Sequence, residues 1–233
     1  LELRGELDAA WHRVMQGGWY ILGEEVESFE REFAAYCGTR GCAGTGNGLD
    51  ALHLILRGYR IGAGDDVIVP AHTFIATWLA VTNAGANPVP VDCDRATLQL
   101  DPDRLARAIT PQTRAVIAAH LYGHPADMTA IASICRERNL KLIEDAAQAL
   151  GARRQGRSVG FEGDVGFFSL AIGKWLTTYE GGLLVARDAQ MRHELARTSR
   201  EIAPFRPGWE LKRSLQLLGY HALYRPWPLH LAY

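Results

Sequence analysis

Between residues 40 and 186 the chain alternates between short apolar, largely β-branched runs and longer stretches of helical period. The runs are Val67 to Val69, Val89 to Val91, Ala115 to Ala118, Lys141 to Ile143, Val165 to Phe168 and Leu183 to Ala186. Helical spacing fills Leu49 to Leu56, Ile75 to Ala84, Pro102 to Ala108, Ala126 to Arg138 and Ala189 to Arg197. Parallel neighbours need a crossover of a dozen or more residues, usually helical. The alternation therefore predicts an α/β fold: a three-layer α/β/α domain with a mainly parallel sheet covered on both faces.

Residues 1–36 precede this pattern as a helical segment. Leu3, Leu7, Trp11, Val14 and Met15 share one face and end at Gly17-Gly18, and Val26, Phe29, Phe33 and Tyr36 share another that ends at Gly38. The predicted large domain spans 1–200. Composition shifts in 201–233, which holds Pro204, Pro207, Pro226 and Pro228 among many aromatics, with Leu211, Leu215, Leu218 and Ala222 at helical spacing. That stripe predicts a helix packing on the main domain or on a partner subunit; its few cations (Lys212, Arg213, Arg225) give only thin support to a membrane-surface helix.

Composition narrows the function classes. With 25 basic and 26 acidic side chains the net charge is −1, which argues against a nucleic-acid surface. Hydrophobic residues at 48% and charged residues at 22% suffice for a core and are unlike a disordered chain. The cysteines Cys37, Cys42, Cys93 and Cys135 form no CxxC pair and predict reduced thiols, not a disulfide framework or a metal site. No run approaches the roughly 20 apolar residues of a membrane span and no signal peptide opens the chain, so a cytoplasmic protein is expected.

In open α/β sheets ligands collect at the carboxyl ends of strands. After the run ending at Ile143 comes Glu144-Asp145-Ala146-Ala147-Gln148. After the run ending at Phe168 come Ser169 and, five residues later, Lys174, then Glu180-Gly181-Gly182. Before the Leu49 helix stands Gly44-Thr45-Gly46-Asn47-Gly48, a glycine-rich helix start suited to an anion. It lacks the Lys-Ser/Thr ending of a P-loop and does not fit GxGxxG, so alone it reads as a turn. Asp145 alone would pass for a helix cap, and Lys174 for a surface lysine. Together, an anion cradle, a carboxylate after a strand and a lysine in a glycine-flanked loop match the three needs of pyridoxal phosphate: phosphate donors, an acid at the pyridine nitrogen and a Schiff-base amine.

At these residues the sequence resembles the DegT/DnrJ/EryC1/StrS family of sugar aminotransferases. The likeness runs from Gly18 to about Arg187, through Gly18 to Gly23, Gly46 to Leu54, Gly62 to Pro70, His72 to Thr77, His120-Leu121-Tyr122-Gly123, Glu144 to Gln148, Phe168-Ser169, Lys174 and Glu180 to Gly182. The resemblance implies the pyridoxal-phosphate transferase fold of type I. It makes Lys174 the Schiff-base lysine, which also moves the proton between the substrate carbon and the cofactor's C4′ carbon. Asp145 becomes the acid that keeps the pyridine nitrogen protonated. An opposite pair at about 4 Å and an effective dielectric of about 20 is worth roughly 4 kcal/mol, or about three pKa units. Gln148 is implied at the ring hydroxyl, Ser169 and the Asn47, Gly48 and Leu49 turn at the phosphate, and Phe74 stacked on the ring, against its plainer reading as a core phenylalanine.

The resemblance further implies transfer of an amino group, with glutamate as donor, to a nucleotide-linked keto sugar in polysaccharide or secondary-metabolite synthesis. The Gly46 to Leu54 block looks closest to members acting on 3-keto sugars. The family's dehydratase branch carries His where this chain has Lys174, which favours amino transfer over a sugar dehydratase. A homodimer is implied because cofactor sites of this fold lie between subunits. Trp175 and Leu170 to Gly173 depart from the family pattern. The 233-residue length and the Leu1 start suggest a clipped large domain with the small C-terminal domain largely missing. A truncated or divergent member that binds cofactor without turnover is the alternative.

Overall fold

The computed structural model describes residues 3–19, 22–39 and 41–186, together with 197, 208, 211, 212, 214–216 and 218. The chain divides into two compact units, Leu1–Ala196 and Arg197–Tyr233. In the second unit Leu211, Leu215 and Leu218 are helical and exposed. Ala222 and all of the expected 189–197 helix except Arg197 lie outside the described residues.

The first unit opens with α1 (Arg4–Gly17) and α2 (Glu24–Cys37), which end on Gly18 and Gly38 in the left-handed conformation. That conformation suits glycine because it has no Cβ to clash. Arg13 reaches from α1 to Glu25 of α2 at 2.6 Å, and the bond holds the exposed Glu25 carboxyl below its ordinary range. Helix α2 buries Phe33, Ala34 and Cys37, whereas α1 buries nothing and leaves Leu7 and Trp11 in solvent.

Then follow β1 (Gly41–Thr45), α3 (Gly48–Gly58), β2 (Asp66–Pro70), α4 (Ile75–Asn83), β3 (Asn87–Val91), α5 (Pro102–Ala108), β4 (Thr113–Ala119), α6 (Met128–Glu137), β5 (Lys141–Asp145), the short hairpin β6 (Arg153–Arg154) and β7 (Arg157–Ser158), β8 (Val165–Ser169) and β9 (Gly182–Ala186). Seven strands form one sheet in the order β1-β9-β8-β5-β4-β2-β3. The five from β8 to β3 run parallel, while β9 is antiparallel to both its neighbours β8 and β1. Ile68, Val116 and Leu142 pack against α5 and α6 on one face, and the alternate Val67, Val69, Ile117 and Ile143 are equally buried. Side chains of a strand alternate between faces, so the sheet is covered on both, as the alternating pattern requires.

β1 was not among the expected strands. Its sequence, Gly-Cys-Ala-Gly-Thr, has almost no β-branched content, and its strand state comes from pairing with β9, Thr45 opposite Gly182.

Candidate active site

The carboxyl ends of the adjacent parallel strands β4, β5 and β8 deliver three polar residues to one edge of the sheet: His120 just past β4, Asp145 closing β5 and Ser169 closing β8. Against that edge α3 presents its N-terminus. Asn47 caps this helix by accepting from Asp50 N–H at 2.8 Å, and its carbonyl accepts from Ala51 N–H. The N–H groups of Gly48 and Leu49 belong to the first helical turn, where no intrahelical acceptor exists, and both residues line the cavity with Ser169. A Cβ on Gly48 would sit 3.1 Å from Ser169 Cβ, so glycine is what allows helix and strand end to meet.

The cavity has a volume of about 550 Å³, within the range of small-molecule sites. All eight residues expected at a cofactor line it. Asn47, Gly48, Leu49 and Ser169 come from the α3 N-terminus and the end of β8; Asp145, Gln148, Lys174 and Phe74 are the others. Phe74 is not a core residue: it stands at the N-cap of α4, 67% exposed. Lys174 is one of only three lysines in the chain, with Lys141 and Lys212. Lys141 lies 5.3 Å over the ring of Tyr59.

Asp145 is buried, and burial pushes its carboxyl above the ordinary range; Ala147 N–H, the Thr77 hydroxyl, His120 and Lys174 pull the other way. Each carboxylate oxygen already has one donor, Ala147 N–H on Oδ1 and Thr77 Oγ1 on Oδ2. A cationic or N–H group from the cavity side would offset the burial. Gln148 Oε1 accepts from Tyr122 N–H at 3.0 Å, which assigns its NH2 group as the donor left for a ligand. The residue that makes this bond, Tyr122, holds a left-handed backbone (φ 58°), an uncommon state for a bulky side chain that recurs at functional sites.

Behind Asp145 lies a fully buried support. Glu144 accepts from His120 Nε2 at 3.0 Å, Gly160 N–H at 2.7 Å and Gly163 N–H at 2.5 Å. Ala126 N–H donates to His120 Nδ1, so the ring hydrogen sits on Nε2, facing Glu144. Sequence reading noted Glu144 only as an acid beside Asp145 and gave Thr77 and Gly182 no role. Gly182 pairs with Thr45 on one side and Ser169 on the other, and a Cβ there would overlap the Asn47 carbonyl. The Gly181-Gly182 pair in the sequence was the available signal. Trp175, beside the lysine, is 88% exposed.

Lysine amine, buried acid, amide donor and anion cradle are together the donor set that pyridoxal phosphate requires, and the residues fit it. The chain belongs to the DegT/DnrJ/EryC1/StrS aminotransferase family, whose model matches residues 2–205. It is 51% identical over 195 residues to dTDP-3-amino-3,4,6-trideoxy-alpha-D-glucose transaminase of Streptomyces venezuelae, covering 83% of this chain and 52% of the relative. It is 48% identical to dTDP-3-amino-3,6-dideoxy-alpha-D-galactopyranose transaminase of Aneurinibacillus thermoaerophilus, covering 82% and 53%. The crystal structure of S. venezuelae DesV in complex with a ketimine intermediate superposes with a TM-score of 0.82 at 49% identity, over 88% of this chain and 56% of that one. The fold is thus the type I fold of pyridoxal-phosphate transferases. The chain spans about half the length of the curated relatives it matches.

Proposed function

We propose that this chain carries the cofactor half of a pyridoxal-phosphate aminotransferase that passes an amino group from glutamate to a nucleotide-linked 3-keto sugar. The observation that carries the reading is the convergence of Lys174, Asp145, Gln148, Ser169 and the α3 N-terminus on one cavity. Names of the two transaminase relatives, both of 3-amino dTDP sugars, support the substrate class.

When bound, pyridoxal phosphate supplies an electron sink for the carbon that loses or gains a proton. The chain's own residues do the rest. Gly48 and Leu49 N–H groups and the Ser169 hydroxyl would hold the phosphate at the positive end of α3. The Asp145 carboxylate, with one donor on each oxygen, would keep a proton on the pyridine nitrogen, and the Gln148 amide would donate to the ring hydroxyl. Phe74, on the cavity lining, would pack against the ring. The Lys174 amine would hold the cofactor covalently between turnovers and would otherwise move the proton at the reacting carbon. A lysine at this place favours amination over dehydration. Exposed apolar side chains at the N-terminal end of α4, Phe74 and Ile75, together with Trp175, suit a subunit contact in a homodimer.

The test is a single half-reaction. Adding glutamate to the cofactor-loaded chain is expected to release one 2-oxoglutarate per bound cofactor. Cofactor binding without any 2-oxoglutarate would remove the donor assignment and favour the non-catalytic alternative.

A further inference from the structure

Three side chains form a line from the cavity wall to the buried acid. Thr73 Oγ1 and Thr77 Oγ1 are 3.0 Å apart, and Thr77 Oγ1 is 3.2 Å from Asp145 Oδ2. Thr77 is 2% exposed in the first turn of α4, and Thr73 is half-buried on the cavity lining. Valence fixes the direction of the chain. An ionised carboxylate only accepts, and each hydroxyl has a single hydrogen to give. Thr77 therefore donates to Asp145 and accepts from Thr73. Ala147 N–H, 3.0 Å from Oδ1, comes from the turn after β5, so two separate elements each hold one oxygen and together set the plane of the carboxylate.

We propose that Thr77 is a positioning residue for Asp145, with Thr73 orienting its hydroxyl, so that α4 dictates how the acid faces the cavity. The inference rests on the reading of Asp145 as the acid at the pyridine nitrogen. The titratable groups near Asp145 are His120, past the end of β4, whose ring nitrogens are engaged by Glu144 and Ala126 N–H, and Lys174, in the loop after β8, whose charge opposes the burial that pushes the acid up. Among the described residues, the Thr77 hydroxyl is the side chain that hydrogen-bonds the Asp145 carboxylate. Its removal leaves the carboxylate buried and under-solvated on the Oδ2 side, and the acid takes up its proton at higher pH.

The experiment follows Asp145 directly. Carbon-13 is placed at aspartate Cγ in the whole 233-residue chain, the Asp145 signal is assigned with Asp145→Asn, and its titration is recorded without cofactor. Thr77→Val is expected to raise the midpoint by about one pH unit or more, the scale of a charge-assisted hydrogen bond. Thr77→Ser, which keeps the hydroxyl, restores the original midpoint, and Thr73→Val gives a smaller rise. An unmoved midpoint in Thr77→Val overturns the proposal. If circular dichroism shows that the valine variant does not fold, Thr77→Ala against Thr77→Ser makes the same comparison with Thr73→Val beside it, and no rise in either overturns the proposal. Adding pyridoxal phosphate to the unsubstituted chain tests the underlying reading separately, because a paired ring cation lowers the Asp145 midpoint. No change on adding cofactor, with the Thr77 effect present, counts against the function while the Thr77 contact stands.

Discussion

Replacing Glu144 by glutamine preserves volume and removes an acceptor where none can be spared. Glu144 is 0% exposed, and its oxygens take His120 Nε2 and Gly160 N–H on Oε2 and Gly163 N–H on Oε1. A glutamine in the same place offers one oxygen and one NH2. With its oxygen at the Oε2 position it keeps His120 and Gly160 but sets its NH2 against Gly163 N–H; the reverse orientation strands two donors. A stranded buried donor costs about 1–3 kcal/mol, and the two surviving bonds each lose charge assistance worth about 1 kcal/mol. Cheaper burial of a neutral amide returns part of this. The net loss is about 3 kcal/mol, and at about 2–4 °C per kcal/mol for a chain of this size the midpoint should fall by about 6–12 °C. Thermal unfolding followed by circular dichroism at pH 7, without cofactor, measures it. A fall of less than about 2 °C would refute the idea that Glu144 serves as a charged acceptor binding β4, β5 and the 160–163 loop together.

Asp145→Asn should make the cofactor-free chain more stable at pH 7 than the unsubstituted one, while abolishing tight cofactor binding. Burial raises the folded-state proton affinity of Asp145, so its favourable share is full below the ordinary carboxylate value and is lost as pH rises through the raised one; the advantage of Asn must shrink as pH falls from 7 toward the ordinary carboxylate range in paired thermal scans. Gly182→Ala should weaken pyridoxal phosphate binding at least about fivefold in a spectral titration, since a Cβ there displaces the Asn47 carbonyl and relieving such overpacking costs about 1–3 kcal/mol.

Much of this architecture could be read in the sequence because each helix and most strands carry their own periodic signal. Pro102 to Ala108 begins with Asp101 accepting from Asp103 and Arg104 N–H and a proline in the first turn, and α5 has those bounds. The residues that line the candidate cavity were legible for a related reason. Lys174, Asp145 and Ser169 follow strands, and ligands gather where parallel strands end. What escaped was whatever depends on partners remote in sequence. β1 is a strand through its register with β9, not through its composition. Thr77 looks like any helix threonine until α4 brings it to Asp145, 68 positions away. The left-handed Tyr122 is likewise invisible in a His-Leu-Tyr-Gly string, because its strain is held by tertiary bonds from Gln148 and His72.

The central claim is that Lys174 is the amine that holds the cofactor, and the small number of lysines makes it directly testable. Pyridoxal phosphate is added to the chain, the mixture is reduced with borohydride and the peptides are mapped by mass spectrometry. The account predicts one phosphopyridoxyl group per chain, on Lys174, and none in Lys174→Ala. Label shared with Lys141 and Lys212, or unchanged in Lys174→Ala, would contradict it.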